Sequence, residues 1–394
     1  MKVLHVGKFF APFRGGVENY MRDAMMSLSR QGIRCFAVVH RHEWSFRSKD
    51  DLLESDKVRF HVVRAGTWFK FMYTPFSPMF PVLMQRLIRL YQPDILHLHM
   101  PNPSAFWALL LWPARKIPWV VHWHADVMAS SHDRRIKWFY LLYKPLEQLL
   151  LRRASAIVVT SEAYLIFSKS LETHHSKCHV VPLGLDPSRF HLQDNRHSMG
   201  QINRVDIFHV LAVGRLTYYK GFEYLVQAVA LLSNIQLDII GTGDQEKKLK
   251  KLTRTLGVEE QVSFHGELPD QDLHRYLSNC HCLCLPSIER TEAFGMVLLE
   301  AMQNSKATVV SDVPGSGMGW VVEHGKTGIK VEPADVNALA QALKQLQENP
   351  VETQAMGHRG RERYEQMFQI DRSTASLIKI YNMVLLSDSK EKIP

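Results

Sequence analysis

Residues 292–300 read Glu292-Ala293-Phe294-Gly295-Met296-Val297-Leu298-Leu299-Glu300. Two carboxylates stand eight positions apart around a Phe-Gly step. Gly295 allows close backbone approach, and the residues that follow favour a helix, so the stretch predicts a helix opening at Gly295. A helix start presents free N–H groups and the positive end of a dipole, a natural seat for phosphate. Glu292 then lies in the loop ahead of the helix, and Glu300 lies about two turns along it. Two acids beside an anion seat suit a ligand rich in hydroxyls, such as a sugar nucleotide. A surface loop with one solvated Glu also accounts for the stretch taken alone.

Around this motif the chain alternates short apolar runs with amphipathic segments. In the second half, strands are expected at Phe208–Val213, 237–240, Val262–Phe264, Cys282–Leu285 and 307–310, and helices at 221–232, 245–256, 270–277 and 337–347. In the first half, strands are expected at 3–6, 33–39, 95–98, 119–122 and 156–160. The helices there are 17–31, stopped by Gly32, then 81–91 and 137–153. Such alternation implies βαβ units and parallel sheets, and strands this apolar are buried on both faces. The polar stretch 187–206 reads as a linker. The expected fold is therefore α/β: two Rossmann-like, doubly wound domains, 1–186 and 207–369, facing a central cleft. A last helix near 370–390 is expected to return to the first domain. A chain of 394 residues exceeds one ordinary core, and ligands of such sheets sit at the carboxyl ends of strands.

Charge is unevenly shared. Residues 1–190 hold 26 Lys and Arg against 14 Asp and Glu, and the rest hold 22 against 25, so the net +9 arises entirely in the first half. A basic first domain suits an anionic membrane face or an anionic lipid-linked substrate. Nucleic acid ranks lower, because no recognised nucleic-acid motif is present. A merely basic soluble surface is the remaining alternative. The longest apolar run, 105–112, is too short to span a bilayer, and the first residues resemble a buried strand rather than a secretory signal. A cytoplasmic protein is expected. Cys280, Cys282 and Cys284 alternate as in a strand. Their spacing favours a buried strand over a metal site.

Further motifs fall at strand ends. Gly15-Gly16-Val17-Glu18 separates the first strand from the first helix, but it is not a GxGxxG fingerprint. His97 and His99 end one strand, and His122-Trp123-His124-Ala125-Asp126 ends the next. These four histidines admit a metal, a structural or a substrate-contact reading, the last centred on His124. Arg215 and Lys220 flank a Gly-rich turn after the strand Phe208–Val213, where two fixed cations would stabilise charge on a departing phosphate. Gly241-Thr242-Gly243 ends the following strand.

In this order the pieces resemble a GT-B glycosyltransferase of the large retaining family four. Gly15-Gly16-Val17-Glu18 resembles its N-terminal Gly-rich loop. Val181-Pro182-Leu183-Gly184-Leu185-Asp186 resembles its Pro-Asn-Gly-Val-Asp segment, with Leu183 in place of Asn. Gly214-Arg215-Leu216 with Lys220-Gly221, then Gly241-Thr242-Gly243, then Glu292 to Glu300 match its remaining elements. The segment Gln303-Asn304-Ser305-Lys306-Ala307 departs from the family's usual Ala-x-Gly-x-Pro, and Pro314-Gly315-Ser316-Gly317-Met318-Gly319-Trp320 is richer in glycine than usual.

The resemblance implies roles. Arg215 and Lys220 would hold a donor diphosphate, with the Gly16 N–H on the same phosphates and Gly241 and Gly243 beside them. Glu292 and the Phe294-Gly295-Met296 backbone would bind the donor sugar, Glu300 the ribose, and His124 the sugar near the reacting carbon. No metal or other cofactor is implied, in keeping with the lack of a credible Asp-x-Asp metal motif. The implied reaction moves a hexose-type sugar from a GDP- or UDP-sugar to a lipid-linked glycan at the inner face of the cytoplasmic membrane, as in O-antigen and other surface polysaccharide synthesis. The segments 68–73 and 134–138 mix aromatic and basic residues, as a peripheral membrane contact would. A sugar-nucleotide epimerase on the same architecture and a non-catalytic sugar-nucleotide binder are the rivals.

Overall fold

A computed structural model describes residues 1–13, 15–55, 58–71, 74–127, 134–190 and 207–391. The chain divides into two compact units, one of Met1–Asp186 with Ile370–Pro394, the other of Pro187–Gln369.

The first unit is built on an eight-stranded sheet. Its strands in chain order are β1 (Lys2–Val6), β2 (Arg34–Trp44), β3 (Lys49–Ser55), β4 (Val58–Thr67), then a separate hairpin of β5 (Phe69–Phe71) and β6 (Thr74–Phe76), then β7 (Ile95–Met100), β8 (Trp119–Trp123), β9 (Ala156–Val159) and β10 (Cys178–Val180). The spatial order is β10-β9-β8-β7-β1-β2-β4-β3, and every pairing is parallel except β3 with β4. β7, β8 and β9 are buried at every residue, with His97, His99 and His122 the polar side chains among otherwise apolar ones. β3, β4 and the hairpin were not expected from the sequence. Asp50, Asp51, Lys49 and Glu54 make β3 read as polar loop, yet the strand is an edge, where one face remains in water. β2 also runs beyond the expected 33–39, to Trp44.

The second unit holds β11 (Phe208–Val213), β12 (Ile235–Ile240), β13 (Val262–Phe264), β14 (Cys282–Leu285), β15 (Ala307–Ser311) and β16 (Gly328–Val331). All pairings are parallel and the order is β13-β12-β11-β14-β15-β16. The winding direction reverses between β11 and β14, so a crevice opens at their carboxyl ends. Cys282 and Cys284 point into the core of this unit, and Cys280 is buried just ahead of them. Among the described residues no cysteine joins a metal-compatible group. Of the stretch expected as a linker, Pro187–Phe190 forms a short 3-10 helix, and the Pro187 carbonyl accepts from Gln303 Nε2 at 2.9 Å; residues 191–206 lie outside the described residues.

The final helix, Ile370–Glu391, packs in the first unit. Its Leu377, Ile380, Tyr381 and Val384 share one cluster with Val3, Met21, Met25 and Leu28, the last three from the helix Gly16–Arg30. Polar bonds fix the register: Tyr20 Oη to Ser373 Oγ at 2.9 Å, Ser27 Oγ to Thr374 Oγ1 at 2.6 Å, and Ser27 Oγ donating to Asp371 Oδ1 at 2.6 Å. Burying such side chains is worth about 1.5–3 kcal/mol each. Four of them approach the whole stability of a domain, roughly 5–15 kcal/mol. A chain truncated after Gln369 is therefore expected to lose the cooperative unfolding transition of the first unit while keeping that of the second. Differential scanning calorimetry reads this directly, and two intact transitions would refute it.

Candidate active site

The crevice of the second unit gathers its chemistry from three strand ends. After β11 the chain turns through Gly214 and Arg215 into the short 3-10 turn Tyr218–Lys220. Gly221, at φ +67°, opens the helix Phe222–Val229. A Cβ on Gly221 would overlap the Pro286 carbonyl, just beyond β14. The Ile288 N–H donates to the Tyr219 carbonyl at 2.8 Å, and Tyr218 Oη donates to Glu289 Oε2 at 2.8 Å. These contacts fasten the β11 turn to the loop after β14. Gly241 and Gly243, expected at a ligand, have a demand of their own: a Cβ on either would overlap the carbonyls of Gly214 and Leu216.

This fastening brings Lys220 Nζ to 2.5 Å from Glu292 Oε2, with both side chains mostly shielded. The same amine lies over Gly214, where a Cβ would stand 2.9 Å away. Burial pushes the Lys220 pKa down, but the Glu292 carboxylate, aided by Tyr219, outweighs burial and leaves it raised; the Arg215 guanidinium opposes that rise. Lys220 therefore stays cationic at neutral pH. Arg215 is exposed at the same turn. Arg215 and Lys220, from the β11 end, and Glu292, from the β14 end, thus meet at one place.

Gly295 has φ +80° and opens the helix Met296–Gln303, as expected from its sequence. Phe294 is buried against Trp320 and Phe368, and Glu300 is buried within the helix. The Gly-rich loop after β15 supports the motif from behind. Ser316 Oγ donates to the Glu292 carbonyl at 2.5 Å and accepts from the Met318 N–H at 3.2 Å, while the Gly317 N–H donates to the Ala293 carbonyl at 2.7 Å. Ser316 was not singled out from the sequence; only the glycine density of its loop marked the region.

Gly16 and His124 belong to the first unit. Gly16 is the first residue of the helix Gly16–Arg30, at the carboxyl end of β1, with Glu18 in the first turn. His124 follows β8 and is buried. It joins a network the sequence showed only in part: His5, His97, His99, His122 and His124 lie side by side across β1, β7 and β8, all buried. His5 Nδ1 faces His99 Nε2 at 3.1 Å, His99 Nδ1 faces His124 Nε2 at 3.0 Å, and His97 Nε2 faces His122 Nδ1 at 3.1 Å. Tyr381 Oη closes the row on His97 Nδ1 at 2.5 Å. Two triads, His5/His97/His99 and His99/His122/His124, are compact enough for a metal ion. Three pairs of ring nitrogens sit at N–H···N hydrogen-bond distance, while His5 Nε2, His122 Nε2 and His124 Nδ1 have no partner among the described residues.

Two doubly wound sheets, parallel but for β3, one with cations and a carboxylate fastened at its switch point, are the architecture of a GT-B glycosyltransferase. Residues 14–189 match the family described as Glycosyltransferase Family 4, and residues 197–363 match Glycosyl transferases group 1. The chain is 28% identical over 391 residues to the O-antigen chain mannosyltransferase C of Escherichia coli, covering 99% of this chain and 100% of the relative. It is 31% identical over 281 residues to the D-rhamnosyltransferase WbpZ of Pseudomonas aeruginosa, 70% of each. Among solved structures, sucrose-phosphate synthase from Thermosynechococcus elongatus superposes with a TM-score of 0.80 at 23% identity, covering 98% of this chain and 99% of that one. HepE from Anabaena in complex with UDP-glucose gives 0.73 at 19%, covering 97% and 100%. The chain belongs to the group 1 glycosyl transferases.

The histidine row has a consequence in solution. Burial, and then mutual repulsion for His5, His97, His122 and His124, holds these imidazoles far below their usual range; burial alone takes His99 to about 3. The unfolded chain titrates them near 6.5, so below that pH it binds more protons than the folded one and stability falls. The loss is up to about 1.4 kcal/mol per pH unit for each imidazole, until the folded value is reached. The thermal midpoint is expected to drop steadily from pH 7 to pH 5, with a shallower slope for His97→Gln. Parallel slopes in the two proteins would contradict this.

Proposed function

We propose that the protein is a retaining transferase that moves a hexose-type sugar from a GDP- or UDP-sugar to a growing, lipid-linked surface glycan. The observation that carries the reading is the convergence of Lys220, Arg215 and Glu292 at the switch point of the second sheet. Two cations there suit a diphosphate leaving group, whose negative charge grows as the sugar–oxygen bond breaks. Glu292 and the Phe294-Gly295-Met296 backbone hold the donor sugar, Glu300 the ribose, and Gly16, Gly241 and Gly243 the phosphates. His124 meets the sugar near the reacting carbon, as the family resemblance implies.

Attack from the face the leaving group departs, with the leaving phosphate taking the acceptor's proton, gives retention without a protein nucleophile. Arg215 and Lys220 supply the positive charge, so no metal is assigned to the step. The relatives named for O-antigen mannosyl and D-rhamnosyl transfer support a surface polysaccharide as product.

Lys220→Ala is expected to lower kcat by about a hundredfold or more, since its charge matters most in the transition state. Glu300→Ala is expected to raise KM for the donor with a smaller change in kcat. Wild-type kcat in the Lys220 variant would remove the leaving-group role. A thermal-shift screen with GDP and UDP identifies the base.

Membrane contact belongs to the same reading. Among the described residues no helix is long and apolar enough to cross a membrane. At the carboxyl edge of the first sheet, Trp44, Phe46, Trp68 and Phe69 are exposed, and Phe46 and Trp68 pack edge to face at 5.3 Å. Lys70, Arg41 and Arg47 accompany them. Exposed aromatics among cations match an anionic lipid interface. Of the expected contact segments, residues 72 and 73 and the side chains of 71 and 134–138 lie outside what the structure describes. Trp44→Ala with Phe46→Ala is expected to reduce co-sedimentation with phosphatidylglycerol vesicles severalfold. Undiminished binding would place the contact elsewhere.

A further inference from the structure

The ion pair of Lys220 and Glu292 sets two assignments against each other. Lys220 is assigned to the diphosphate, yet its amine already has a carboxylate 2.5 Å away. The two side chains are only 11% and 14% exposed, so water screens the pair weakly. Glu292 has little freedom to withdraw. Its carbonyl is held by Ser316 and the next carbonyl by the Gly317 N–H, and the neighbouring Phe294 is packed under Trp320 and Phe368. A diphosphate reaching Lys220 therefore comes close to a fixed negative charge.

The two nucleotides of the reaction meet that charge differently. An intact donor carries a sugar whose hydroxyls donate hydrogen bonds to the carboxylate, which is then satisfied as Lys220 turns toward phosphate. The spent nucleoside diphosphate has no such donor. It also carries one more ionisable phosphate oxygen, freed where the sugar left, and presents it to the same carboxylate. We propose that Glu292 is a specificity-determining residue that discriminates against the spent nucleotide: it competes for Lys220 and repels the bare diphosphate, and only an attached sugar relieves the conflict. Product release is thereby favoured by a group that also helps to bind substrate. The inference rests on the assignment of Lys220 to the donor diphosphate.

Isothermal titration of the intact protein with GDP and UDP, and with GDP-mannose and UDP-glucose as intact donors, tests it. In Glu292→Gln the nucleoside diphosphate that binds the parent is expected to bind about tenfold tighter, the scale of one charged hydrogen bond returned to the ligand. The intact donor should bind no tighter. Glu292→Asp, which keeps the charge, should leave diphosphate affinity near the parent value, and Glu292→Ala serves should the Gln variant not fold. Lys220→Gln should weaken diphosphate binding by a similar factor. Unchanged or weaker diphosphate binding in both charge-removing variants, with Lys220→Gln still impaired, overturns the discrimination and leaves the phosphate seat standing. Unchanged binding in Lys220→Gln overturns the seat itself, and the discrimination with it.

Discussion

The second unit depends on backbone packed directly against backbone at the carboxyl ends of its strands. Gly221 lies against the Pro286 carbonyl, Gly241 against that of Gly214, and Gly243 against that of Leu216. No side chain fits in these places, so the turn after β11 has no room to drift from the loop after β14 or the loop after β12. Hydrogen bonds then complete the attachment, from Ile288 to Tyr219 and from Tyr218 to Glu289. The chemistry of the site is a consequence. Lys220 and Glu292 are far apart in the chain and share a hydrogen bond because their backbones are locked together.

That lock also decides the electrostatics. Two shielded opposite charges offset most of each other's desolvation cost, whereas one alone would be strongly unfavourable. The Lys220–Glu292 pair is thus close to electrically balanced, and Arg215 adds a positive charge at its exposed margin. Ser316 and Gly317 hold the acidic side of the pair from behind, which makes the glycine-rich loop after β15 part of the site's scaffold.

Much of this was legible in the sequence, for identifiable reasons. β11, β13 and β14 fall at the expected residues because buried parallel strands leave short, unbroken apolar runs. Gly295 announced its helix because a left-handed residue ahead of helix formers has few other uses. β3 and β4 escaped notice. An edge strand such as 49–55 carries charges on its wet face, and its partner strand lacks a helix between them to mark a boundary. Gly241-Thr242-Gly243 suits either a close ligand approach or a tight turn, and sequence does not distinguish space kept for a ligand from space filled by the chain itself. His5 was missed from the histidine row because its neighbours come from β7 and β8, and only strand order shows that β1 lies beside β7.

The helix Ile370–Glu391 gives the first unit a discontinuous chain: its sheet precedes the whole second unit in the sequence, and this helix follows it. During synthesis the sheet of β1 to β10 emerges early, with the seat for Leu377, Ile380 and Tyr381 still unfilled. The whole second unit must leave the ribosome before that seat is closed. The nascent first unit therefore keeps an apolar face uncovered while the whole second unit is made, and the order of maturation runs opposite to the order of emergence: the part made later is the one able to finish first.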